Sequence, residues 1–140
     1  MGFLQNNNKS AGGATTKPAG RATTKQRGDA AEDAALAHLQ RAGLLPVTRN
    51  YRTPGRGGGE IDLIMRDPRD GTLVFVEVRQ RASGSHGGAG ASITHVKQRR
   101  IVFAARHYLC GLRALPPCRF DVVLVEAGAI EWLQGAFDAG

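Results

Sequence analysis

Residues 59–64 have the sequence GEIDLI, and residues 73–80 have the sequence LVFVEVRQ. Both stretches are apolar and rich in β-branched residues, which predicts two strands. The segment between them, residues 66–71, contains Pro68 and Gly71 and is typical of a hairpin turn. We therefore expect the two strands to be antiparallel neighbours in one sheet.

Each of these two strands carries a carboxylate, Asp62 in the first and Glu77 in the second. Side chains alternate between the faces of a strand, so the two acids can stand side by side, with Ile64 on the face of Asp62. Two carboxylates about 4 Å apart repel by roughly 4 kcal/mol at an effective dielectric constant near 20. Bound Mg²⁺ or Mn²⁺ relieves that repulsion, because both ions prefer oxygen ligands. Protonation of one acid relieves it too, and so does a structural ion pair in which Arg79 neutralises Glu77; the spacing leaves these interpretations open.

The charge of the chain is uneven. The formal net charge is +7, from 19 lysine and arginine residues against 12 acidic ones. Five of the basic residues lie in residues 1–27, which contain no acid, so 14 basic and 12 acidic side chains remain for the rest. Residues 1–27 are predicted to be a disordered basic tail, and residues 28–140 a single domain.

Two clusters of basic residues in the predicted domain suit a polyanion such as nucleic acid. The candidate nucleic-acid-binding residues are Arg49, Arg52, Arg56, Arg99 and Arg100.

The other patterns in the chain predict further elements. These are a helix at 28–43, a strand at 46–52, a flexible glycine-rich hairpin tip at 53–58, a helix at 92–110, a strand at 119–126, and a short strand or helical turn at 130–133. We expect Ser92 to cap the second helix and Val96 to lie on its buried side. This alternation of helices and strands predicts an α/β protein.

Cys110 and Cys118 lack the spacing of metal ligands, and no apolar run approaches the length of a membrane span. These features favour a cytoplasmic protein with reduced thiols and no membrane partner.

Six segments of the chain carry a resemblance to a known family. They are GDAAEDAA at 28–35, RNYR at 49–52, GEIDLI at 59–64, FVEVR at 75–79, KQRR at 97–100 and RFDVV at 119–123. In order and spacing they resemble the YraN-type family of uncharacterised bacterial proteins, a branch of the restriction-endonuclease-like (PD-(D/E)XK nuclease) superfamily. The resemblance implies an αβββαβ core with a mixed sheet flanked by helices.

The resemblance also implies a site. The superfamily motif is an Asp, a variable gap and Glu-x-Lys, which Asp62 and Glu77 match as ligands of Mg²⁺ or Mn²⁺. Arg79 departs from the usual lysine, and arginine cannot act as a base. Lys97, on the following helix, either takes over the lysine's role or is a solvated surface residue. Glu32 is either a third metal ligand or an acid that compensates the dipole of the first helix.

The function implied is metal-dependent phosphodiester hydrolysis on DNA, with branched or structured DNA among the candidate substrates. In that case Arg79 or Lys97 would stabilise the charge of the transition state. A nucleic-acid-binding module without cleavage, and a scaffold that binds a protein partner at the sheet edge, are the alternatives. A homodimer is compatible with all three.

Overall fold

The computed structural model describes residues 23–81 and 93–139. Its elements are α1 (Thr24–Arg41), β1 (Leu45–Arg52), β2 (Glu60–Arg66), β3 (Leu73–Gln80), α2 (His95–Leu109), β4 (Cys118–Glu126) and β5 (Ala129–Phe137). The order confirms the predicted α/β class with an αβββαβ core. The predicted closing segment is a strand, and β5 is longer than the expected residues 130–133.

The five strands form one mixed sheet in the order β1-β2-β3-β4-β5. β1–β2, β2–β3 and β4–β5 pair antiparallel, and β3–β4 pairs parallel. Parallel neighbours need a crossover connection, and α2 lies in the one between β3 and β4. The antiparallel pairing of β2 with β3 confirms the pairing that the sequence predicts.

Within residues 23–81 and 93–139, one helix covers each face of the sheet. On one face, Ala35 and Leu39 of α1 belong to a buried cluster that includes Leu63. On the other face, Ile101 of α2 belongs to a buried cluster that includes Phe75. Because apolar groups cover both faces, the central strands are nearly continuous in apolar character and a charged side chain among them needs a partner.

The helix α1 begins earlier than the sequence analysis predicts. Thr23 is its N-cap, and the Thr23 and Gln26 side chains each accept a hydrogen bond from the other residue's backbone N–H, forming a capping box. Residues 24–27 are thus helical and do not belong to a disordered tail, while residues 1–22 lie outside the described part of the chain. The first turn of α1 contains no acidic residue, so dipole compensation does not explain Glu32.

The helix α2 also differs at its start. Its N-cap is Thr94, whose hydroxyl accepts a hydrogen bond from the backbone N–H of Lys97, so the helix starts after Ser92, which lies outside the described residues. Val96, expected on the buried side, is 57% exposed. Lys97, next to it in sequence, is the residue that turns towards the sheet, because α2 packs with Ile101, Ala104 and Ala105 inwards.

Asp121 on β4 is fully buried and pairs with Arg119 at 2.9 Å. Its carboxylate also accepts hydrogen bonds from Trp132 Nε1 and from the backbone N–H of Gly135. This carboxylate therefore joins β4 to β5 and has a structural role.

Cys110 and Cys118 are both exposed free thiols. Across residues 23–81 and 93–139, no helix is both long and apolar enough to span a membrane.

Candidate acidic site

The backbone pairing of β2 with β3 ends just before Asp62 and Glu77. Backbone partners run from Arg66 and Leu73 to Leu63 and Val76. Beyond this point the Asp62 side chain continues the connection, because its Oδ2 accepts a hydrogen bond of 2.8 Å from the backbone N–H of Val78. A side-chain carboxylate thus occupies the place of a strand carbonyl, and this fixes Asp62 beside Glu77.

The alternation of side chains along β2 is irregular at this place. Ile61 and Ile64 both belong to the cluster under α2, whereas Leu63 packs towards α1. Strict alternation, which the sequence analysis assumes, would put Ile61 and Ile64 on opposite faces. The neighbouring residue Asn50 on β1 has a φ of 52°, and Asn tolerates this left-handed conformation better than most residues. The local irregularity places Asp62 where the strands separate.

Glu77 lies on the α2 face of the sheet and is 6% exposed. Its Oε2 lies 3.5 Å from the ammonium nitrogen of Lys97. Its Oε1 is buried, and among the described residues no hydrogen-bond partner reaches it. Burial, and then the charge of Asp62, raise the pKa of Glu77 to about 8.

Asp62 and Glu77 share a side-chain hydrogen bond. Burial raises the pKa of Asp62 as well, although the Val78 N–H and the hydrogen bond to Glu77 oppose that effect. The hydrogen bond raises the pKa of Glu77 and lowers that of Asp62, so the shared proton resides on Glu77. Burial and the neighbouring carboxyl group thus oppose the ionisation of both acids at once.

Glu32 approaches Asp62 from α1. Burial, and then the charge of Asp62, raise the pKa of Glu32. Arg49 opposes this rise, because its guanidinium lies 3.5 Å from Glu32 Oε1 and 2.9 Å from Asp33. Glu32 Oε1 is a second buried carboxylate oxygen that lacks a hydrogen-bond partner within the described part of the chain. Glu32 is thus a further acid whose pKa responds to the charge of Asp62.

These acids do not form a ready-made metal cage. Within residues 23–81 and 93–139, no group of three His, Cys, Asp or Glu side chains is close enough together to hold an ion. Asp62 and Glu77 are in contact, and Glu32 acts on Asp62 through its charge. The donor set available at the site is therefore a carboxylate pair with one additional acid at longer range.

The predicted cations of the site have different positions. Lys97 forms an ion pair with Glu77 and is 37% exposed at its side chain, so it is more than a solvated surface residue. Arg79 is half-buried on β3, where it pairs in register with Leu124 of β4. The contact of Lys97 with Glu77 is the direct link between α2 and the acidic pair.

The candidate nucleic-acid-binding arginines are also spread over several elements. Arg49 is held by two carboxylates of α1, so its role towards nucleic acid stays a prediction. Arg52 lies 3.8 Å from Glu60, and Arg56 is exposed in the loop between β1 and β2. Arg99 and Arg100 are exposed on α2.

The sequence analysis missed two residues that shape the site. Asn50 hydrogen-bonds to Glu32, and Thr53 binds the start of β2 through a 2.8 Å hydrogen bond from the Gly59 N–H. Asn50 lies near the end of the predicted strand at 46–52, and Thr53 begins the glycine-rich loop that follows; polar residues at such places signal turn chemistry. That pattern was visible in the sequence, but it does not say which distant group each side chain binds.

The fold and the site together define a class: an α/β protein with a five-stranded mixed sheet and a buried acidic pair where two central strands separate. The chain matches the model of the family described as "Uncharacterised protein family UPF0102" over residues 31–125. It therefore belongs to the UPF0102 family, which is the YraN-type family that the sequence resembles.

Relatives with this family name cover most or all of the chain. A UPF0102 protein of Paracidovorax citrulli is 66% identical over 140 residues and covers 100% of both chains. One from Albidiferax ferrireducens is 74% identical over 112 residues, which are 80% of this chain and 87% of the relative. One from Cupriavidus taiwanensis is 67% identical over 113 residues, 81% of this chain and 83% of the relative.

Proposed function

We propose that this protein is a metal-dependent nuclease that hydrolyses phosphodiester bonds of DNA at the Asp62–Glu77 pair. The observation that carries the proposal is the pair itself, two neighbouring buried carboxyl groups, one held by the Val78 N–H and the other facing Lys97. Placing two acids together in a core destabilises the fold, so a purely structural role would not favour them. A divalent cation that replaces the shared proton explains their position.

The residues present fit Mg²⁺ or Mn²⁺. Glu77 Oε1 is a buried carboxylate oxygen without a hydrogen-bond partner in the described chain, which is the atom a cation would bind. Mg²⁺ is commonly held by one or two carboxylates and keeps several waters, so Asp62 and Glu77 suffice, with Glu32 available to a bound water. When bound, such an ion lowers the pKa of a coordinated water and neutralises negative charge on a phosphate.

The chain's own residues have separate roles in this proposal. Asp62 is oriented by the Val78 N–H, and Glu77, whose pKa is raised, would lose its proton on holding a cation. Lys97 provides positive charge beside Glu77, where it stabilises the charge that develops on the phosphate. Arg79 remains positively charged throughout and supports the same charge without acting as a base.

Nucleic acid is the proposed partner because positive charge is available outside the site. The formal net charge is +7, and Arg52, Arg56, Arg99 and Arg100 are exposed. Arginines of this kind bind phosphates without reading the base sequence. We infer that affinity for DNA falls steeply as the salt concentration rises.

Cleavage of duplex, single-stranded and branched DNA with Mg²⁺, Mn²⁺ or a chelator tests the proposal. The wild-type protein is expected to cleave at least one of these DNAs only with metal. Asp62→Asn should remove that cleavage, since it removes one of the two ligands. Asp70→Asn, which changes an exposed carboxylate in the β2–β3 turn, is the matched control and should cleave like the wild type. Equal cleavage by Asp62→Asn and the wild type would contradict the proposal.

A nucleic-acid-binding module without cleavage is the second candidate. The observation in its favour is Arg79, which stands where the superfamily motif has a lysine. This candidate predicts salt-dependent DNA binding that is the same with metal and with chelator. The same assay therefore separates the two candidates.

A further inference from the structure

A small polar pocket lies beside the acidic pair, between the β1–β2 loop and α2. It has a volume of about 190 Å³ and is lined by Arg52, Thr53, Glu60, Arg100 and glycines of the loop. Two of these side chains are cationic and one is anionic, so the pocket has a positive balance. The proposed function uses Arg52 and Arg100 only as exposed positive charge and assigns no ligand to the pocket that they line.

The loop that forms the pocket is anchored at its base, unlike the flexible hairpin tip that its glycine content predicts. Thr53 N donates to the Gly59 carbonyl at 3.1 Å, and Gly59 N donates to Thr53 Oγ1 at 2.8 Å. A Cβ at Gly58 would lie 1.9 Å from Thr53 Oγ1, and one at Gly59 would lie 1.9 Å from the Arg100 carbonyl oxygen. Only glycine therefore lets the loop close onto α2 and bring its backbone to the pocket wall.

The pocket is close to the acidic pair in the fold. Glu60 precedes Asp62 by two positions on β2, and Arg100 follows Lys97 on α2 at a spacing that places both on one side of the helix. The three residues from Lys97 to Arg100 rise about 4.5 Å along the helix axis. This distance lies between one and two nucleotides of axial rise, at about 3.4 Å each.

We propose that this pocket binds the phosphate that neighbours the scissile phosphate on the same DNA strand. Arg52 and Arg100 provide the charge, and glycine backbone N–H groups add uncharged donors of the kind that line anion-binding loops. Glu60 lies 3.8 Å from Arg52 and competes with the phosphate for it. This inference rests on the proposed function and makes the substrate a continuous strand with an intact phosphate beside the cut.

Binding of a short oligothymidylate, followed by the amide NMR signals of the loop glycines, tests the pocket without cleavage. With chelator present, the signals of Gly57, Gly58 and Gly59 should shift on titration. Arg100→Ala should weaken the binding by about 10-fold or more. Glu60→Gln should tighten it.

Arg99→Ala is the matched control, because Arg99 is the neighbour of Arg100 but lines a separate groove with Phe103 and Arg106. It should weaken binding by less than about 3-fold, as expected for one nonspecific phosphate contact. Equal losses of affinity in Arg100→Ala and Arg99→Ala would contradict the proposed phosphate pocket. Loop signals that do not shift would contradict it as well.

A second readout uses cleavage. The position of each cut identifies the scissile phosphate and therefore the phosphate that neighbours it. A neutral methylphosphonate placed next to a scissile phosphate should suppress that cut in the wild type and have little further effect in Arg100→Ala. Persistence of the full suppression in Arg100→Ala would refute the assignment. If the loop signals shift but no DNA is cleaved, the pocket binds phosphate and the nuclease proposal fails. If DNA is cleaved but the loop signals do not shift, the nuclease proposal holds and the phosphate pocket is contradicted.

Discussion

Replacing Glu77 with glutamine is expected to raise the free energy of unfolding of the metal-free protein by about 4 kcal/mol at pH 8. Glutamine has the shape of a protonated glutamic acid and keeps a donor for Asp62, so it removes the need to bury a second charge. The same substitution should abolish metal binding and cleavage. A gain in stability together with a loss of activity is typical of a residue kept for function.

The pH dependence follows from the direction of the pKa shift. The pKa of Glu77 is about 8 in the folded protein, above its ordinary value of 4.5, so the folded state binds more protons between these values. The stability that this group contributes is fully present below about pH 4.5 and is lost as the pH rises towards 8. Asp62 and Glu32, whose pKa values are also raised, act in the same direction.

Urea unfolding at pH 5 and pH 8 with a chelator measures this effect. The difference between the wild type and Glu77→Gln should be small at pH 5 and large at pH 8. Glu131→Gln, at an exposed glutamate on β5 that pairs with Arg81, is the control and should not show this dependence. A Glu77→Gln variant that is less stable than the wild type at pH 8 would contradict the assignment of the shared proton.

Replacing Lys97 with methionine is expected to reduce the rate of cleavage by about 10²- to 10³-fold, the usual effect of removing one group that stabilises transition-state charge. Lys97 is the cation that contacts Glu77, at 3.5 Å. Lys97→Arg should restore most of the rate, because the proposed role needs positive charge and not a base. Single-turnover cleavage under saturating metal measures the chemical step.

Arg79→Met is the matched comparison, because Arg79 occupies the motif position that usually holds lysine. We expect it to lower the rate less than Lys97→Met does. A larger loss in Arg79→Met would place the catalytic cation on β3 and return the role of Lys97 to that of a structural ion pair. A Lys97→Arg variant as inactive as Lys97→Met would instead indicate a proton-transfer role.

The strands and the acidic pair were predictable because their signals are local. β3 has the predicted bounds, residues 73–80, since its apolar run is continuous and ends at turn residues on both sides. The hairpin turn fixed the antiparallel pairing, and that pairing brought Asp62 next to Glu77. The family membership was equally accessible, because it depends on the order and spacing of short segments.

The features that the sequence does not predict correctly depend on contacts between distant parts of the chain. The start of α1 was hidden by the tail-like composition around it, although Thr23 and Gln26 carry the spacing of a capping box. Val96 was placed on the wrong side of α2 because an apolar residue was assumed to face inwards, whereas Lys97 takes the inward position to meet Glu77. No local pattern reveals that a carboxylate on β2 will bind the backbone of β3.

Calorimetric titration of the metal-free protein with Mn²⁺ at pH 7, in two buffers of different ionisation enthalpy, tests the central claim most directly. The claim predicts one ion per chain and the release of about one proton per ion, because the ion displaces the proton that Glu77 shares with Asp62. Neither Glu77→Gln nor Asp62→Asn should bind the ion in this way. Binding without proton release, or undiminished binding in Asp62→Asn, would contradict the account.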